Sequence, residues 1–379
     1  VFSEPQAKRV VKPYSLTRIV HSPSVWKIYP PSFWRAKLGP QPNWEFKIII
    51  KERTQAINML PDDTFPGQPK LIFMGTPEFA LPALEALITH DYEILAVVTQ
   101  PDRPKGRGRK LAASPVKKLA LTHNIEVLQP EKASNKSFCI RIQNMGPDLI
   151  IVVAFGQILS KEFLNIPKWG AINIHASLLP KYRGAAPIQH AILNNEPRTG
   201  LTIMHMDEGM DTGPILHQTE LLILEDETAG QLHDRLASLG GEVIVESLTH
   251  MADRTLKEIP QDDAKATYAS KILKSDTWVD WVSSASEISC LIRALDPNPG
   301  AYTFLDGEKV KLFASTVVEE NGTNDLPGRV LRCKRDEIHV QSGQGIVGIR
   351  VIQVPGKKRL MVSDFLRGFS LSEGTILGN

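Results

Sequence analysis

The chain predicts an α/β protein in two parts, a mostly parallel, Rossmann-like sheet followed by a small antiparallel β-barrel. Three observations carry that prediction. From Lys70 onward, apolar strand-like runs alternate with amphipathic helical ones, the pattern of a parallel sheet covered on both faces. Past about residue 267, short strands follow one another between Gly, Asn and Pro turns, which suits a barrel. At 379 residues, 42% hydrophobic and 23% charged, the chain can fill two buried cores.

Taken in order, residues 70–75 (KLIFMG) read as a buried strand, Thr76-Pro77 as a turn, and 79–90 as an amphipathic helix. A strand over 93–100 leads into a Pro/Gly/basic loop from Pro101 to Ala113. Ser114 is an N-cap and Pro115 the first helical residue of the next helix, because proline's missing N–H costs nothing there. A strand at 126–130, a helix from about Ser134 to Met145, and strands at 148–154 and 170–176 follow. Next come a helix over 186–195, two strands within 200–223, and a long closing helix over 227–254. The charged, irregular stretch 255–267 reads as a linker. Beyond it lie a helix at 284–295 and five short strands between Ala301 and Val354. The expected divisions are therefore a basic extension (1–69), a catalytic α/β domain (70–254), the linker (255–267) and a barrel (268–379).

Bulk properties exclude more than they identify. A net charge of +2 does not announce a nucleic-acid partner, so that case must rest on local clusters. Cys139, Cys290 and Cys333 are too scattered for a disulfide framework or a zinc site. No apolar run reaches membrane-spanning length. Gly75 stands without the G-x-G-x-x-G spacing that lets a pyrophosphate approach the backbone, which argues against a dinucleotide. The first 44 residues hold seven Lys or Arg against the single acid Glu4, the composition of an organelle transit peptide, although three Trp are atypical of one. A mitochondrial destination is expected, with a plastid as the alternative.

The most specific stretch is 173–189, NIHASLLPKYRGAAPIQ, with HMDEGMDTG following at 205–213. Asn173 and His175 sit at the end of a strand, and alternation turns both side chains to one face. Strand ends of open α/β sheets are where ligands bind. An amide donor, an imidazole and the Asp211 carboxylate gathered there suit acyl transfer.

This string resembles the folate-dependent formyltransferases, whose signature is Asn-x-His, then Ser-Leu-Leu-Pro, then a distal Asp. Here the matching residues are Asn173, His175, Ser177, Leu178, Leu179, Pro180 and Asp211. The resemblance runs from about Lys70 to Leu366 and implies the formyltransferase fold with an OB-like barrel. It further implies 10-formyltetrahydrofolate as formyl donor, Ser177–Pro180 as a folate-binding loop with exposed backbone groups, and no metal. Asn173 and His175 would steady the oxyanion of the tetrahedral intermediate, and Asp211 would orient His175 or take the amine proton. Arg183-Gly184 would shape the loop or meet an anionic part of the substrate.

The loop PDRPKGRGRKLAASPVKK carries Arg103, Lys105, Arg107, Arg109, Lys110, Lys117 and Lys118 against Asp102. Its Pro and Gly content argues against a helix, so a flexible basic finger near the site is expected. Such a finger suits phosphate and base-edge contacts to RNA. The same string occurs in the branch of the family that acts on methionyl-tRNA, which implies initiator methionyl-tRNA as acceptor, with Arg107 the foremost reader. Lys357, Lys358 and Arg359 form a second RNA-contact candidate. A monomer is expected. The alternatives are a related formyltransferase or formyltetrahydrofolate hydrolase with another acceptor, or a non-enzymatic RNA- or folate-binding protein. The first leave the basic finger unexplained. The last has no need of Asn173, His175 and Asp211 together.

Overall fold

A computed structural model describes residues 64–105, 110–321 and 325–378, without the side chains of Lys105 and Lys110. Of the basic extension only a backbone pair is described before residue 64, Ile19–Val20 antiparallel to Lys27–Ile28. The expected transit peptide otherwise lies outside the described residues.

The main sheet contains β1 (Leu71–Gly75), β2 (Ile94–Val98), β3 (Val127–Leu128), β4 (Leu149–Val153), β5 (Ala171–His175), β6 (Arg198–His205) and β7 (Ile215–Leu222). Their order is β7-β6-β5-β4-β1-β2-β3. The five strands from β3 to β5 are parallel, whereas β6 runs antiparallel to both β5 and β7. Hydrophobic alternation explains why the sheet is covered twice. Leu71, Phe73, Leu149 and Ile151 face one core, and Ile72, Met74, Ile150 and Val152 face the other. Burying each such side chain contributes about 1.5–3 kcal/mol, ample to fix the register. Helices α1 (Leu81–Thr89), α2 (Pro115–Thr122) and α6 (Ala229–Ala252) cover the first face. The second is covered by α3 (Lys136–Met145) and by α4 (Lys161–Leu164), a single turn capped by Ser160 that the sequence reading did not include. Ser114 caps α2 as expected, accepting from Lys117 N at 3.0 Å. Between β5 and β6 lies α5 (Pro187–Leu193).

The C-terminal part begins with α7 (Ala285–Ala294), closed by the Ser284/Glu287 capping box. Strands β8 (Ala301–Leu305), β9 (Glu308–Glu319), β10 (Val330–Cys333), β11 (Ile338–Gln341) and β12 (Ile346–Gln353) pair in the order β8-β9-β12-β11-β10 around a separate core. No ladder joins β8 to β10 among the described residues. The chain end fills that gap: Val330 N donates to Thr375 O, and Gly378 N to Phe304 O, both short backbone bonds. Helix α8 (Val362–Gly368) packs on this core through Val362 and Phe365.

Two expectations change. The basic loop is not irregular throughout, since Arg103–Lys105 and Lys110–Ala112 form an antiparallel ladder. The stretch 255–267 does more than connect: it bridges to β7 through Ile259 and Ile215, and it lies against the loops beyond β5 and β6.

Candidate active site

His175 is 5% exposed and ends β5. Its Nε2 lies 2.9 Å from Tyr182 O. A carbonyl can only accept, so Nε2 carries the proton, and in the neutral ring Nδ1 is bare. That Nδ1 faces Asp211 Oδ2 at 3.6 Å. Two acceptors thus face each other across a short gap. Asn173 lies two residues earlier, paired with Val152 on β4 and Met204 on β6. Its side chain is half-buried and forms no hydrogen bond among the described residues. Of the three, it alone has donors to spare.

Asp211 adopts φ +55°, a left-handed conformation that costs most residues about 1–2 kcal/mol and that Asp tolerates better than most. Two hydrogen bonds hold it, and a third steadies its loop. Its Oδ2 accepts from Gly184 N at 2.8 Å, and its carbonyl accepts from Gln261 Nε2 at 2.7 Å. The same Nε2 donates to Gly213 O at 2.8 Å. Gln261 Oε1 in turn accepts from Arg183 Nε and Nη2, and Arg183 Nη2 also reaches Asp263 Oδ1 at 2.7 Å. Arg183 is 2% exposed, and its Nε and Nη2 are engaged within the protein, so it shapes the loop. Tyr182, also left-handed at φ +60°, donates its hydroxyl to Glu196; burial and then Glu196 push the phenol well above its usual range.

The Ser177–Pro180 loop departs from expectation. Thr202 Oγ1 donates to Ser177 O and accepts from Leu179 N, and Gln218 Nε2 donates to Leu179 O. Ser177 and Leu179 are buried, so their backbone groups are spent within the protein. Leu178 and Pro180 remain partly exposed and offer an apolar wall. Gly200 makes this close packing possible, because a Cβ there would fall 2.1 Å from Thr219 O and 2.6 Å from Leu178 Cδ2.

A cavity of about 470 Å³ opens at the carboxyl ends of β1, β2 and β4, where the strand order reverses. Thr76, Pro77, Gln100, Arg103, Ala154 and Phe155 line it, with Gly75 at the end of β1 too close to Ala80 for any Cβ. The basic hairpin rises from its rim. Asp102 anchors the hairpin by accepting from Lys117 at 2.7 Å and from Gln129 at 2.8 Å. These two bonds, Lys117's first, hold the Asp102 carboxyl below its usual range. Arg103 turns inward, donating to Gln100 Oε1 at 3.3 Å. Arg107 and Arg109 lie outside the described residues, as do the side chains of Lys105 and Lys110. In the barrel, Arg359 stacks on Phe313 at 3.6 Å and binds Asp296 and Pro297, while Lys357 sits over Phe369. Two of the three cations proposed as an RNA contact therefore serve the fold.

Sequence reading missed Gln261, Thr202 and Gln218. Their partners are 16 to 78 residues away in sequence, and no local pattern marks them. Among the described residues, no group of three His, Cys, Asp or Glu could hold a metal ion, and no helix is long and apolar enough to cross a membrane.

Comparison with known proteins fits this architecture. The formyl transferase family model matches residues 69–248, and the model of the formyl transferase C-terminal domain matches 271–370. The class is that of the formyl transferases. The methionyl-tRNA formyltransferase of Acetivibrio thermocellus is 46% identical over 309 residues, covering 82% of this chain and 99% of its own. That of Geobacter sulfurreducens is 50% identical over 309 residues, covering 82% and 96%. The chain therefore belongs to the methionyl-tRNA formyltransferase family, a family of enzymes. Two solved structures share the fold at lower identity. The N-formyltransferase of Helicobacter canadensis, in complex with folinic acid and dTDP-3-aminofucose, gives a TM-score of 0.57 at 22% identity, over 74% of this chain and 98% of that one. HypX of Aquifex aeolicus, in complex with tetrahydrofolic acid, gives 0.56 at 18% identity, over 82% and 51%.

Proposed function

We propose that this enzyme transfers the formyl group of 10-formyltetrahydrofolate to the α-amine of methionyl-initiator tRNA, giving N-formylmethionyl-tRNA. The observation that carries the reading is the His175–Asp211 pair beside the Asn173 amide, which has no partner among the described residues, in a chain close to half identical to methionyl-tRNA formyltransferases along nearly their whole length. As the amine attacks the formyl carbon, the Asn173 N–H donates to the developing oxyanion; such a donor is worth about 3–4 kcal/mol. The bare Nδ1 of His175 and the Asp211 carboxylate take the amine proton between them, while Tyr182 O holds Nε2–H and so fixes the ring. His175 therefore acts from its Nδ1 side, and Asn173 is the side-chain oxyanion donor. When the tetrahedral intermediate collapses, the folate nitrogen leaves and recovers a proton from the same pair. The switch-point cavity is of a size and apolar character suited to the ring system of the folate. Leu178 and Pro180 supply a further apolar wall.

The basic hairpin is assigned to the acceptor arm of the tRNA, with Arg103, Lys105, Arg107, Arg109 and Lys110 as its cations. The proposed division is extension (1–69), catalytic domain (70–254), connecting segment (255–267) and barrel (268–379). Two hydrophobic cores support the split between catalytic domain and barrel, whereas Phe65 packs on Trp169 within the first core and draws the end of the extension into the catalytic domain. We also propose a monomer directed to the mitochondrion by the acid-poor N-terminal stretch. Fusing residues 1–69 to a fluorescent reporter tests the destination. A diffuse cytosolic signal contradicts it, and a plastid signal selects the alternative. Acceptor competition tests the function: methionyl-tRNA should take the formyl group in preference to free methionine, amino sugar nucleotides and water. Equal or better transfer to any of these three overturns the acceptor.

A further inference from the structure

We infer that Gln261 is a positioning residue for the reaction, acting through the backbone of Asp211. The inference rests on the catalytic reading of the His175–Asp211 pair. Asp211 sits at a left-handed backbone position on the loop between β6 and β7, and nothing else in that loop fixes its carbonyl. Gln261 does so from fifty residues away in sequence, with one amide group bonding both Asp211 O and Gly213 O. Its other end is held by the buried Arg183, from the loop that carries Tyr182, the partner of His175. One side chain therefore ties together the two loops that set the His175–Asp211 gap.

The surrounding segment repeats this logic. Ile259 exchanges both backbone bonds with Ile215, Tyr182 N donates to Thr267 Oγ1, and Arg183 N donates to Thr267 O. Tyr268–Ala269 then pairs in parallel with Arg183–Gly184. Residues 259–269 thus form a strap across the edge of the site. Gln261 is the member of that strap that touches the Asp211 residue itself. Its two ends are chemically distinct: Oε1 must accept from a guanidinium, and Nε2 must donate to two carbonyls. A carboxylate keeps the first function and loses the second.

This asymmetry supplies the test. Gln261→Glu retains the clamp on Arg183 but turns an acceptor toward Asp211 O and Gly213 O. Displacement of a reacting group by about 1 Å can cost on the order of 100-fold in rate. Full-length Gln261→Glu should therefore lower kcat on methionyl-tRNA by roughly 10- to 100-fold. KM values for both substrates should stay within about twofold. If this variant does not fold, the neutral Gln261→Met is measured in its place. Each is then combined with Asp211→Asn. A positioning role predicts that the second substitution adds little to the first, whereas a general weakening of the fold predicts multiplied losses. Unchanged kcat in the Gln261 variants, or full multiplication with Asp211→Asn, overturns the inference while leaving the catalytic pair intact. Full activity of Asp211→Asn alone overturns both.

Discussion

Two stretches of the same sheet edge are built on opposite principles. At the β5–β6 end, nearly every polar atom already has a partner: His175 is fixed to Tyr182 O, Asp211 to Gly184 N and Gln261, and Ser177 and Leu179 to Thr202 and Gln218. Further along the sheet, the ends of β4, β1 and β2 open into a cavity with the basic ladder at its rim. The first region is preorganised, so its geometry survives without substrate; the second leaves room for one. A site of this kind separates the group that reacts from the surface that recruits, and substitutions should separate in the same way.

The sharpest test of that contrast is Asn173→Ala. It removes a side-chain donor that has no partner among the described residues, so kcat should fall about 100- to 1000-fold. Thermal stability should barely change, because no internal bond is lost. His175→Ala should lose comparable rate but also stability, about 1–3 kcal/mol, because Tyr182 O is left buried without its donor. Equal melting temperatures for the two variants would break the comparison. Gly200→Ala probes packing alone. The added Cβ collides with Thr219 O and Leu178, so denaturant melts should show a loss of about 1–3 kcal/mol. On the recruiting side, Arg107→Ala should raise KM for tRNA several-fold and leave KM for folate unchanged. The salt dependence of tRNA binding should flatten by about one charge. Equal effects on both substrates would remove the hairpin as tRNA reader.

The smallest effect concerns His217 on β7. Burial, the leading cause, holds its imidazole below the ordinary value of 6.5, with His250 adding to this and Glu246 opposing it. The unfolded chain therefore binds its proton first as pH falls. The His217 contribution to stability is present above pH 6.5 and is lost as pH drops below it toward the lower folded value. Melts of His217→Gln should show a shallower decline across that interval. An unchanged slope would assign the decline to other groups.

Legibility in the sequence followed the range of the interactions. Strands with two buried faces, such as LIIVV at 149–153, announce themselves as apolar runs, and a cap such as Ser114 as a local motif. Asn173 and His175 were legible because they share one strand end, and Asp211 because its string is distinctive. The saturation of Ser177 and Leu179 was not, since it depends on Thr202 and Gln218 from neighbouring strands. Nor could a charged, irregular stretch reveal that Gln261 reaches back to Asp211. The ring contacts of Lys357 and Arg359 were illegible for the same reason, because only the folded barrel brings Phe369 and Phe313 beneath them.

The most direct measurement is single-turnover formylation of methionyl-tRNA by His175→Ala, Asp211→Asn and the double variant, with 10-formyltetrahydrofolate saturating. If the two groups handle one proton together, each single variant should lose about 100- to 10,000-fold, and the double variant should be little worse than the poorer single one. Losses that multiply in the double variant, or a single variant that keeps the wild-type rate, would contradict the account.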